Sequence, residues 1–192
     1  MSKKTTPLKE TAQAGSAEAV KNLRDLFEDG LKDVYWAENA LVQALPKMFD
    51  NATDQKLKTA IKEHLDQTIE QVARLEAAFE SLGKKAEGKK CIAIAGIIEE
   101  GEQMMQETQA GAVRDAAIIA SAQKVEHYEI AAYGTLAAFA KTLNERPALD
   151  LLLKNLGEEK KSDFLLTTIA DTNLNSQAMS DSFQVKDEIN AV

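Results

Sequence analysis

Acidic side chains recur in this sequence at places where the surrounding apolar spacing calls for leucine. Between residues 34 and 45 the stripe runs Val34, Glu38, Leu41, Leu45, which puts Glu38 in a core register. Ile61, His64 and Thr68 form a similar run with His64 facing inward. A third stripe, Ala122, Glu126, Glu129, Tyr133, Leu136, carries two acids one turn apart, and a fourth, Leu152, Leu156, Glu159, Asp163, Leu166, carries two more. Spacings of three and four put such residues on one face of a helix. A carboxylate taken out of water without a partner takes up a proton, and several together raise one another's pKa. Lys32, Lys47, Lys62, Arg74, Lys124, Lys141 and Lys160 lie mostly off these stripes, so something else must supply positive charge. Two divalent metal ions would do so. Oxygen ligands with an imidazole suit iron or manganese, and zinc is a further candidate.

The candidate ligands are therefore Glu38, His64, Glu126, Glu129, Glu159 and Asp163, with no cysteine among them. One acid on a stripe reads most simply as a solvated edge, and a lone inward histidine as a satisfied core residue. Agreement among four stripes is what favours metal. His127, about 100° around its helix from Glu126, is placed beside the site or on the surface. Tyr133 reads first as a core aromatic and second as a donor to Glu129. No nucleophile constellation, phosphate loop or dinucleotide fingerprint is present; GIIEEG (96–101) lacks the glycine spacing and the preceding strand.

The elements that must position these residues are helices. Ser16 is a plausible cap for a first helix reaching Phe49 on Leu23, Phe27, Leu31, Val34, Leu41, Leu45 and Met48. After a turn at 51–53, a second helix reaches about Leu82. GKKAEGKK (83–90) is a polar loop, followed by a shorter helix from Cys91 to about Glu107 and a break at Ala110-Gly111. A third long helix spans about Val113 to Leu143, and Pro147 suits the first turn of a fourth that ends near Ala170. Short turns make antiparallel neighbours, so the pattern predicts two hairpins joined by one long crossover holding a short extra helix. That is an all-α, ferritin-like four-helix bundle over 16–172, with a disordered arm at 1–15 and a polar tail at 173–192. Glu38 lies 13 positions before Asn51 and His64 13 after it, which predicts that they face each other. DVYWAENALVQAL (33–45) also aligns loosely with KVEHYEIAAYGTL (124–136), superposing Glu38 on Glu129.

Composition agrees. The 192 residues are 44% hydrophobic but only 5% aromatic, with 3 Pro and 9 Gly, which suits one helical domain. A formal net charge of -8 disfavours nucleic acid as a partner. Lys84, Lys85, Lys89 and Lys90 read as a solvated loop. Cys91 is the only cysteine, which excludes an intramolecular disulfide, and it is expected to act as a small buried hydrophobe. No stretch approaches a membrane span, and the N-terminus has no apolar signal region, so a cytoplasmic protein is expected.

The runs AENALVQALPKM, KEHLDQTIEQVARLE, VRDAAIIASAQKVEHYEIAAYGTL and EEKKSD resemble the YciF/YciE family of bacterial stress-associated, ferritin-like proteins over about residues 20–170. The resemblance implies a homodimeric bundle related to rubrerythrin, a dinuclear metal site and a role in stress response. It also implies acids or His at Glu38, His64, Glu126, Glu129, Glu159 and Asp163. One departure stands out. The family commonly has Glu where this chain has Gln67, and neither copy of the Glu-x-x-His pattern of ferritin-like sites is present. Two functions therefore compete: a dimetal protein reacting with O2 or peroxide, and a non-enzymatic dimeric stress or interaction protein with a degraded site.

Overall fold

The computed structural model describes residues 20–180; the N-terminal arm, the Ser16 cap and residues 181–192 lie outside them. Five α-helices follow in order: α1 (Leu23–Asn51), α2 (Gln55–Ser81), α3 (Ile92–Glu107), α4 (Ala112–Thr142) and α5 (Arg146–Ile169). All regular structure among the described residues is helical. The first helix starts later than expected, because Asn22 caps it by accepting a hydrogen bond from the Asp25 N–H at 2.9 Å. Asp54 caps α2 in the same way through the Leu57 N–H. At the far end of α2, Gly83 takes a positive φ of 68°, so that the Lys84 N–H can return to the Phe79 carbonyl.

The last helix does not stop near residue 170. It passes through a π turn (Ala170–Leu174) and remains helical to residue 180. Leu174 is buried in the core, so the sequence placed in a polar tail from 173 begins with helix. The composition of 175–180 is polar, but one anchored leucine carries the helix onward.

Contacts show how the four long helices are arranged. α1 packs on α2 and α4, and α5 packs on α2 and α4, while α3 lies along α4 and α1. Asp115, in the first turn of α4, accepts hydrogen bonds from Thr53 and Asp54 at the α1–α2 turn. At the other end Arg24 of α1 pairs with Glu145 between α4 and α5. Hence α1 and α4 run in opposite directions. The pairs His64–Ser162 and Arg74–Asn155 show that α2 and α5 do too. α2 and α4 are then parallel, and the stretch from Leu82 to Gly111 carries the chain between them.

The core has two apolar clusters. Leu41, Leu45, Ile61, Ile118, Val125 and Leu166 belong to one. Phe27, Leu31, Leu75, Tyr133, Leu136 and Leu152 belong to the other. Each fully buried residue of this kind contributes about 1.5–3 kcal/mol, enough together to tolerate an unfavourable layer between the clusters. In every long helix, the residues between the two clusters are the polar ones.

Candidate metal centre

Glu38, His64, Glu126, Glu129 and Glu159 are all buried, three of them with no exposed surface. His64, Glu126, Glu129 and Glu159 each bring one donor atom into a group whose members all lie within 4.8 Å of one another. These four come from α2, α4 and α5. Glu38, from α1, stands next to the group, with its carboxyl facing that of Glu129. Glu38 and His64 thus belong to the same buried layer, His64 within the group and Glu38 beside it.

Asp163 is not brought into the group. It is partly exposed, 3.4 Å from the exposed His127 and 3.4 Å from the Gln123 amide. One turn beyond Glu159, α5 has already turned its side chain toward the rim. Gln67 is half-buried and contributes no donor atom to the group. The α2 amide that matters is Gln71, fully buried, whose Nε2 donates to Glu159 and, at 3.2 Å, to Glu158. The spacing His64, Thr68, Gln71 continues the inward stripe and would have found it.

Arg74, which spacing placed off the stripes, is buried as well. Its Nη1 donates to Asn155 Oδ1 at 2.5 Å and to Glu158 at 2.6 Å, while Nη2 reaches Glu70 at 3.0 Å. Asn155 in turn donates to the Tyr133 hydroxyl at 3.0 Å, and that hydroxyl donates to Glu38 rather than to Glu129. A chain of hydrogen bonds thus runs from Glu158 through Arg74, Asn155 and Tyr133 to Glu38. Its one full cation is hydrogen-bonded to Glu158 and Glu70 but not to the clustered acids, so it moderates the charge of Glu38 and Glu159 from outside.

Burial dominates the electrostatics. It raises Glu38 to about 8, with the charge of Glu159 adding and the Tyr133 hydrogen bond opposing. Burial raises Glu159 to about 7, with hydrogen bonds from Glu126 and Gln71 opposing. Glu126 and Glu129 are pushed well above the ordinary range, again chiefly by burial and then by neighbouring carboxylates. His64 moves the other way, down to about 4, because burial disfavours the imidazolium. It is therefore neutral at pH 7.

The arrangement fits a metal on three grounds. First, among the described residues seven buried atoms have no hydrogen-bond partner when the acids are ionised: Glu38 Oε2, His64 Nε2, Gln71 Oε1, Glu126 Oε2, both Glu129 oxygens and Glu159 Oε2. All belong to this layer, where native interiors leave few such atoms. Second, Ser162 Oγ lies 3.2 Å from Glu126 Oε1 and 3.1 Å from His64 Nδ1. If the hydroxyl donates to the carboxylate it can accept only from Nδ1–H, an assignment that rests on the network. The Nε2 lone pair is then left 3.5 Å from Glu126 Oε1, a repulsion that a cation between them would reverse. Third, four carboxylates and one imidazole match the hard and borderline donors of iron, manganese or zinc.

Comparison with known proteins places the chain. A family described as "Domain of unknown function (DUF892)" matches residues 22–179. The chain is 44% identical over 160 residues to Protein YciF of Escherichia coli (strain K12), a match covering 83% of this chain and 96% of that protein. The chain belongs to the YciF family. The crystal structure of the E. coli stress protein YciF matches with a TM-score of 0.78 at 44% identity, covering 81% of this chain and 99% of that one. YcfI from Rhodopseudomonas palustris matches with a TM-score of 0.78 at 42% identity, covering 79% and 97%. Protein XCC3681 of Xanthomonas campestris pv. campestris shares the fold alone, with a TM-score of 0.65 at 19% identity over 83% of this chain and 98% of that one. No helix among the described residues of this family member is long and apolar enough to cross a membrane.

Proposed function

We propose that this YciF-family chain is a dinuclear divalent-metal protein of the ferritin-like four-helix-bundle class, acting as a homodimer in the bacterial cytoplasm during stress. The observation that carries this reading is the set of seven polar atoms left without a partner when the acids are ionised, all in one layer of an otherwise apolar interior. Glu38, His64, Glu126, Glu129 and Glu159 would hold the ions, and four carboxylates balance the charge of two M2+. Bound iron or manganese would supply redox chemistry toward O2 or peroxide. The chain's own residues set the conditions for it. His64 keeps its Nε2 lone pair free because Ser162 engages Nδ1. Tyr133 orients Glu38, and Gln71 orients Glu159. The raised carboxyls of Glu38 and Glu159 retain protons near neutrality and release them when a cation takes their place. The two apolar clusters keep water away from the layer.

Support for self-association is the apolar outer surface of α5, where Phe164 is 73% exposed and Leu165 40%. The deciding experiment for function is metal analysis of purified protein after anaerobic loading with Fe(II) or Mn(II), followed by a ferroxidase or peroxide-consumption assay. About two ions per chain support the proposal; under one ion per chain after iron loading ends it. A second reading, a scaffold with a degraded site, is favoured by Gln71 and Arg74. An amide and an outer cation go some way to stabilising the acids without metal. An unchanged melting temperature on chelation and on adding Fe or Mn would select it, because a ligand of the folded state alone must raise stability.

A further inference from the structure

Between the candidate metal centre and the crossover helix lie two small cavities. One is bounded by Leu41, Ala60, Ile61, Val125 and Leu166, and its inner end is formed by His64, Glu126 and Ser162. Its volume is about 20 Å3. A cavity of roughly 10–15 Å3 on this measure already admits one water-sized molecule, so there is room for one small guest. The other cavity, also about 20 Å3, lies under Ile97, Ile98 and Gly101 of α3. Leu41, Met48 and Val125 line both. Met48 is an unbranched side chain with several low-energy rotamers, so the shared wall can open by side-chain rotation alone. The two pockets would then join into an apolar passage from beneath α3 to the His64 and Glu126 end of the polar layer.

We infer that this passage is a binding site for a small apolar gas molecule, dioxygen, held against the His64–Glu126 side of the metal centre. The inference rests on the proposed metal function for its purpose, and it narrows that function to dioxygen in preference to hydrogen peroxide. Apolar walls of this kind offer water no hydrogen-bond partner and favour apolar guests. Hydrogen peroxide carries two donors and four lone pairs, and along the walls between Met48 and Leu166 it would find no partners. Dioxygen loses no hydrogen bonds on entering. In the pocket against the centre the polar side chains are confined to the inner end, where a guest would arrive next to the site.

The test uses dioxygen itself on metal-free, full-length protein. Dissolved O2 is paramagnetic and accelerates methyl relaxation near the places it occupies. The methyls of Ala60, Ile61, Val125 and Leu166 should relax several-fold more, per unit of O2 pressure, than the equally buried methyls of Leu31 and Leu75 in the other core cluster. Enhancement that merely follows distance from solvent overturns the inference. Two variants fill the cavity from α4 and α2, Ala122→Leu and Ala60→Leu, both residues lining it, and either that folds suffices. Each should abolish the enhancement and leave Mn(II) affinity within two-fold. With Fe(II) loaded, oxidation by O2 should slow several-fold while oxidation by hydrogen peroxide stays within two-fold; equal slowing of both overturns the inference. Failure of the chain to bind metal would end the proposed function without touching the relaxation result, so the two failures are separable.

Discussion

Raising the pH should destabilise the metal-free protein, and the buried carboxyls say by how much. A group whose folded pKa exceeds its unfolded value stabilises the fold below the unfolded pKa, and that stability is lost as pH rises through the folded pKa. Glu38 rises from 4.5 to about 8, which corresponds to about 5 kcal/mol over the whole range. Glu159 rises from 4.5 to about 7, or about 3 kcal/mol. Because the carboxyls sit against one another these figures do not add. His64, lowered from 6.5 to about 4, works in the opposite sense: its contribution is complete above 6.5 and is lost as pH falls through about 4. The two effects oppose each other between 4.5 and 6.5. Above 6.5 only the carboxyl slope remains, and Glu38 alone accounts for about 2 kcal/mol between pH 6.5 and 8. Glu126 and Glu129 push the same way. Urea unfolding in EDTA, followed by far-UV circular dichroism at half-unit steps from pH 6.5 to 9, should therefore show stability falling by at least about 2 kcal/mol. Saturating Mn(II) should flatten or reverse the slope, since the ion binds the deprotonated ligands. A flat or rising metal-free profile would mean that these acids are ionised and hydrated, and the reasoning fails.

Four substitutions probe the rest of the layer. Glu129→Ala should abolish metal binding, measured by elemental analysis, while leaving the metal-free melting temperature unchanged or higher, because one of several crowded acids is gone. Asp163→Asn should retain the wild-type metal stoichiometry in the same assay, since Asp163 stands at the rim beside His127. Arg74→Met strips Asn155 and Glu158 of their buried partner and should cost about 3 kcal/mol in urea unfolding. Asp115→Ala removes three hydrogen bonds tying α4 to the α1–α2 turn and should cost about 2–3 kcal/mol by the same measurement, with metal content unaffected.

Much of this protein is legible before any coordinates exist. A helical period of 3.6 is a local property, so the number and order of the five helices follow from where leucines and alanines recur. An acid in a leucine register is equally local, which is why Glu38, His64, Glu126, Glu129 and Glu159 can be picked out as buried. Helix ends were harder to read, because one cap or one anchored side chain overrides the trend. Asn22 starts α1 after Ser16 has been passed, and Leu174 holds the last helix beyond the point where composition turns polar.

What the tertiary structure decided is which side chains meet. Counting from a turn gives the level that two helices share, and it does not say that Glu38 takes Tyr133 and Glu129 as its neighbours. Tyr133 chose Glu38 over Glu129, and Arg74 swung inward from a position that spacing alone called peripheral. Long side chains cover several ångströms from their backbone, so their partners depend on distances between helices, and those distances are set only when the whole interior packs.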